Sequence, residues 1–327
     1  MSARLLLAIV LALPLAARAA EPLGIDLEGY PYPFPVAFLP LTMAHHPERM
    51  AYMDVGPTGA PNGRAVLLLH GRNFPSSYWE PVIRPLAAAG FRVIAPDQIG
   101  FNKSSKPEVA WSFDDAAADT AALLDALHLP IVDLVGHSMG GMLAMRFART
   151  YPDRVRRLAL ESPLGLENYR LYVPPVSPEL MFRNEMNRTA EDYYHYLVTA
   201  YGLTLPREAV MPFVDIRERM KSSAGYPRWV EVYVGTFYAI WGQPVIDEMP
   251  RVATPTLFLV GTRDRTAPGR AFAPPEDRDR MGHIAELAEA LAPKMPHARV
   301  VMFDTGHLIH LEATAAFNRE LLQFLSE

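Results

Sequence analysis

The chemistry of this chain is concentrated in Val132-Asp133-Leu134-Val135-Gly136-His137-Ser138-Met139-Gly140-Gly141. A short apolar run ends in Gly-His-Ser-Met-Gly, and a helix-compatible segment, Met142 to Arg149, follows at once. This is the Gly-x-Ser-x-Gly pattern in the setting its chemistry demands, between a strand and a helix. A serine on so sharp a turn is held in a strained backbone conformation with its hydroxyl exposed. Small residues on either side let strand and helix approach. Ser138 also opens a helix, whose dipole and free N–H groups favour developing negative charge. The stretch therefore predicts a nucleophilic serine.

A serine hydroxyl is a weak nucleophile at neutral pH and needs a base, itself held by a third group. The elements around the elbow say where to look. Ala65 to Gly71, Phe91 to Pro96, Ile131 to Val135, Val155 to Leu160, Pro255 to Gly261 and Ala298 to Phe303 read as buried strands. Helical windows (Tyr78 to Ala89, Phe113 to Leu127, His283 to Leu291, Ala313 to Leu325) fall between or after them. That alternation predicts an α/β fold with a doubly wound, mostly parallel sheet and helices on both faces. Ligands bind such sheets at the carboxyl ends of the strands. Four strands end in useful residues: His70-Gly71-Arg72-Asn73, Ser138, Asp264 and His307. The order Ser, Asp, His is the one this architecture uses.

Each assignment has a competitor. Glu161 ends the strand after the elbow and competes with Asp264 for the acid; His310 competes with His307 for the base. Gly306 favours His307 by permitting a tight loop. His137 is expected to pack, and His70 to hydrogen-bond beneath its loop. Asp97 and the Arg72 side chain are read as shaping the pocket.

These motifs resemble the α/β-hydrolase fold superfamily, in its capped bacterial form. The resemblance rests on Gly136 to Gly141, His70-Gly71, Asp97-Gln98-Ile99-Gly100-Phe101, and Gly306-His307 with Leu311-Glu312 and Phe317-Asn318, and spans roughly residues 50–325. Asn102 departs from the glycine often found there. The resemblance implies Ser138 as nucleophile, His307 as base and Asp264 as its orienting acid. The N–H groups of Met139 and Arg72 would form the oxyanion hole. Ser138 disfavours the dehalogenase and epoxide hydrolase relatives, which carry aspartate at the elbow.

Between about Leu164 and Pro250 the strand pattern stops, and aromatics such as Tyr193, Tyr201, Trp229 and Tyr233 accumulate in amphipathic windows. This predicts a helical cap over 164–250, inserted into a core of 49–163 and 251–327. Most of its aromatics are expected to pack and a minority to face substrate. Residues 20–48 read as a Pro-rich arm, Tyr30-Pro31-Tyr32-Pro33-Phe34-Pro35 favouring an extended polyproline strap over the core. His45-His46 lack metal-ligand spacing.

The 327 residues are 50% hydrophobic and 20% charged, which suits a globular chain with a large core. A net charge of −5 argues against a nucleic-acid partner. Without cysteine there is no disulfide, thiol nucleophile or Cys-ligated metal. No His-Glu-x-x-His cluster occurs, so no metal or cofactor is expected. Residues 1–19 read as an export signal, with Arg4, an apolar Leu5 to Leu15 and the Ala17-Arg18-Ala19 cleavage site. Cleavage removes two arginines, taking the charge from −5 to −7. The run is too short to span a bilayer, so an exported protein without stable membrane insertion is expected, periplasmic or secreted.

The expected activity is a serine hydrolase acting on a small to medium, partly apolar ester. Carbon–carbon bond hydrolysis and cofactor-free perhydrolysis are alternatives on the same framework. A non-catalytic binding protein is the alternative from another class.

Overall fold

The computed structural model describes residues 21–327; the export signal expected at 1–19 lies outside the described residues. Eight strands form one sheet: β1 (Val36–Met43), β2 (His46–Val55), β3 (Ala65–Leu69), β4 (Arg92–Pro96), β5 (Val132–His137), β6 (Val155–Glu161), β7 (Thr256–Gly261) and β8 (Ala298–Phe303). Their spatial order is β1-β2-β4-β3-β5-β6-β7-β8. The pairs β1–β2 and β2–β4 are antiparallel, and all others are parallel.

Burial on both sheet faces explains why β3 reads as an unbroken apolar run and β5 as an apolar one interrupted at Asp133, which Arg64 pairs at 2.7 Å. Leu67, Leu69 and Leu134 enter one core with α2 (Phe113–Ala126), α3 (Met139–Thr150) and α9 (Ile284–Leu291). Val66, Leu68 and Val135 enter the other with α1 (Glu80–Ala88) and α11 (Thr314–Ser326). The α/β sheet with helices on both faces is therefore as expected.

Between β6 and β7 come four helices: α4 (Pro178–Asn187), α5 (Ala190–Tyr201), α6 (Arg207–Met220) and α7 (Tyr226–Gly242). Local signals start and stop α5, which carries a Thr189/Asp192 capping box and ends at left-handed Gly202. Two short helices, α8 (Pro275–Arg278) and α10 (Ile309–Glu312), lie in the loops flanking α9 and β8.

The N-terminal arm differs from its expectation. Residues 36–43 form the edge strand β1, paired with β2 through a two-residue turn at Ala44 and His45, both at positive φ. Edge position accommodates Pro40, whose missing N–H costs no interior ladder bond. The expected boundary at residue 49 thus falls inside a hairpin. The arm also packs on the inserted helices rather than on the core alone. Leu23 and Leu27 join Ile216, Met220, Val230 and Val234 in a separate cluster. Tyr32 Oη donates to Asp97 Oδ2 at 2.6 Å, tying the arm to the sheet edge. Among the described residues no helix is long and apolar enough to cross a membrane.

Candidate active site

Ser138 sits between β5 and α3 at φ 56°, ψ −120°, a strained conformation for a residue with a Cβ. Neighbouring chain holds it there. Its N–H donates to the Glu161 carbonyl at 3.0 Å, and its carbonyl accepts from Leu164 N–H at 3.0 Å. The glycines have steric reasons. A Cβ at Gly140 would collide with the backbone carbonyls of Leu69 and His70, and one at Gly136 with the carbonyl of Gly140. We expect Gly140→Ala to cost about 3 kcal/mol, or to prevent folding, because the obstacle is backbone. An unchanged denaturation midpoint would contradict this packing.

Asp264 follows β7 and His307 follows β8, and both side chains are fully buried. His307 Nδ1 donates to Asp264 Oδ2 at 2.7 Å. The other carboxylate oxygen accepts from Thr266 N–H at 2.9 Å and from its hydroxyl at 2.6 Å. With its Nδ1 proton so placed, the neutral imidazole carries its lone pair on Nε2. That nitrogen is buried and without a hydrogen-bond partner among the described residues.

The elbow, the His307 loop and the loop after β3 are joined by a hydrogen-bond relay. Gly71 N–H donates to Tyr78 Oη at 3.1 Å, and Tyr78 Oη–H donates to His137 Nδ1 at 2.9 Å. His137 Nε2–H in turn donates to the His307 carbonyl at 3.0 Å. Burial, with His307 and His310 nearby, holds the His137 pKa well below its usual range, as this neutral role requires. Gly71 is pressed so close that a Cβ there would lie 3.2 Å from Ser138 Cβ. Its N–H is occupied by Tyr78, while that of Arg72 is unpartnered among the described residues. No side chain caps the N-terminus of α3, which leaves the Met139 N–H free at the same place. The Met139 N–H thus adjoins Ser138, and the Arg72 N–H follows the glycine packed against it.

The competing residues are paired with each other. His310 Nδ1 lies 2.8 Å from Glu161 Oε1, both side chains fully buried, and the His310 N–H donates to the same oxygen. Glu161 therefore serves His310 and not His307. We expect Glu161→Gln to lower stability by about 2 kcal/mol, since the amide NH2 that replaces Oε2 sets a donor against the His310 Nδ1 donor 2.9 Å away. Turnover should survive far better than in Asp264→Asn; an equal loss of rate would make Glu161 the acid.

One further expectation, that Asp97 shapes the pocket, needs correction. Asp97 does not face the pocket: it accepts from Ser76 N–H, Lys103 N–H, the Asn102 amide and Tyr32 Oη. His70 lies beneath its loop, accepting from Gln98 N–H at 3.0 Å and contacting the Gly71 carbonyl. Asn102 sits at φ 49°, a conformation open to asparagine as well as glycine, so the chain turns there without one. Sequence reasoning missed Tyr78 as a relay member and Thr266 as the Asp264 clamp. The Asp-x-Thr spacing was a usable signal for the second, because such side chains bond to backbone two residues on. Among the described residues no group of three or more acidic or histidine side chains could hold a metal ion.

Residues 64–314 match the model of the alpha/beta hydrolase fold family, well over half the chain. This protein belongs to the alpha/beta hydrolase family. It is 39% identical over 280 residues to the 2-hydroxy-6-oxo-2,4-heptadienoate hydrolase of Pseudomonas putida, covering 81% of this chain and 90% of that protein. An uncharacterized Mycobacterium tuberculosis protein is 32% identical over 83% of this chain and 76% of its own length. Among solved structures, a probable hydrolytic enzyme of Pseudomonas aeruginosa superposes with a TM-score of 0.90 at 41% identity, covering 94% of this chain and 99% of that one. Fold and relatives together make the hydrolase a bacterial-type member.

Proposed function

We propose that this hydrolase cleaves carboxylic esters through an acyl-enzyme on Ser138. The carrying observation is the buried His307–Asp264 pair at 2.7 Å, which leaves Nε2 free to accept a proton, together with the strained serine at the elbow. Ser138 Oγ attacks the ester carbonyl as its proton passes to His307 Nε2. The resulting oxyanion takes hydrogen bonds from Arg72 N–H and Met139 N–H, preorganised donors worth about 10²–10³ in rate each. Collapse expels the alcohol, which takes the proton from Nε2. Water then attacks the acyl-enzyme with His307 as base, releasing the carboxylic acid and regenerating Ser138. Asp264 fixes the imidazole tautomer and stabilises the imidazolium.

The substrate is a small molecule reaching Ser138 beneath the inserted helices, which we read as a cap over 164–250. Export rests on residues 1–19 alone, their Arg4 flank and apolar run. Carbon–carbon hydrolysis is the second reading. It is favoured by the 39% identical relative named for a heptadienoate substrate. Turnover of p-nitrophenyl esters against decay of a coloured ring-fission ketone separates the two. Ester cleavage that exceeds ketone cleavage in kcat/KM supports the proposal; ketone cleavage with inert esters overturns it.

A further inference from the structure

A cavity of about 370 Å³ lies between α4, α5, α7 and the loop after β7. Ser138, Asp264 and His307 do not themselves line it, but chain neighbours of the candidate site do. Arg72 in its wall belongs to the loop that flanks Ser138, and Arg265 follows Asp264 directly. The segment carrying Tyr196 and Ala200 leads into Tyr201, whose ring lies 4.3 Å from that of His307.

The wall holds five arginines, Arg72, Arg188, Arg265, Arg270 and Arg278, against one carboxylate, Glu185. In a chain of net charge −5 this clustering runs against composition. The internal partners do not neutralise it. Glu185 is shared between Arg188, at 3.5 Å, and the buried Arg217. Arg265 and Arg270 meet Glu286 at 3.8 Å and Asp279 at 3.4 Å, both exposed acids, and such surface pairs are weak.

Arg72 is the informative member. It is half-buried and has no carboxylate partner among the described residues. Its guanidinium lies 3.6 Å from the Tyr233 ring centroid, with Nε donating to Thr236 Oγ1 at 2.8 Å and Nη2 to the Tyr233 carbonyl. Tyr233 reports the resulting field. Burial pushes its hydroxyl pKa up, yet Arg72, Arg217 and Arg188 together bring it below the ordinary tyrosine value.

We infer that this cavity binds a carboxylate carried by the substrate, with Arg72 and Arg188 as its principal ligands. Planar guanidinium forks match carboxylate geometry, and the tyrosine and phenylalanine surfaces between them suit a short apolar spacer. The inference rests on the serine-hydrolase reading and narrows it to esters bearing a second, anionic end.

The test compares mono-p-nitrophenyl glutarate with p-nitrophenyl pentanoate, and adds a butyrate ester of 3-hydroxybenzoate to place the charge on the leaving side. A charge-assisted contact predicts that kcat/KM for one of the charged esters exceeds that of its neutral counterpart by about 10- to 100-fold, mainly through KM. The ratio should fall as sodium chloride rises, and fall about tenfold or more in Arg72→Gln and in Arg188→Gln. Fluorophosphonate labelling of Ser138 in the wild type and in Arg188→Gln, whose residue lies outside the proposed oxyanion hole, verifies an intact site. Labelled enzyme that treats charged and neutral esters alike, or a ratio indifferent to both substitutions, overturns the anionic subsite and leaves the hydrolase reading standing. Absent labelling of the wild type with no ester turned over overturns the underlying reading.

Discussion

Ser138→Ala is expected to lower kcat by about 10⁴- to 10⁶-fold on any substrate the enzyme turns over. In the proposed mechanism the side chain supplies the bond-forming atom, and no other hydroxyl among the described residues is hydrogen-bonded to His307 Nε2. Thr266 is the nearest rival, but its hydroxyl is committed to Asp264 Oδ1 and sits at the Nδ1 side of the imidazole. The substitution removes one oxygen and leaves the backbone bonds of residue 138 to Glu161 and Leu164 intact. The variant should therefore fold with an unchanged circular dichroism spectrum and still bind substrate. Single-turnover kinetics check this. Loss of less than about tenfold would mean that the chemistry runs elsewhere.

Asp264→Asn carries the second-largest expected effect, a loss of about 10⁴-fold in kcat with KM little changed. The reason is proton bookkeeping. Asp264 Oδ1 already accepts two hydrogen bonds from Thr266, so an asparagine oxygen is drawn to that side. Its amide nitrogen then faces His307 Nδ1 as a donor. The imidazole answers by moving its proton to Nε2, where a base is needed. Shape and burial are almost unchanged, so stability should fall by far less than activity. A variant retaining a tenth of the wild-type rate would show that Asp264 does not set the tautomer.

What could be read from the chain follows from how local each signal is. The elbow was legible because strand, serine and glycines occur within ten residues, and each has a steric duty within that span. Asp264 and His307 were legible because parallel strands deliver their ends to one edge in chain order. The relay through Tyr78 and His137 was not, since its bonds join residues 59 and 170 positions apart. His137 beside the nucleophile looked like packing; its two ring nitrogens in fact tie the loop after β3 to the carbonyl of His307.

The N-terminal hairpin was missed for a different reason. Alternating prolines at 31, 33 and 35 suggested polyproline structure, and that signal was carried too far into residues 36–43. An edge strand tolerates Pro40, so composition does not distinguish the two. The cavity arginines escaped notice because the residue closing α4, the loop after β3, the loop after β7 and α8 each contribute one or two. Only the fold gathers them.

The most direct measurement is mass spectrometry of the protein after reaction with a fluorophosphonate, which phosphonylates an activated serine with loss of fluoride. The account predicts a single adduct on Ser138, formed by the wild type, suppressed in Asp264→Asn and absent from Ser138→Ala. An adduct on another residue, or none under conditions where the protein turns over an ester, would contradict it.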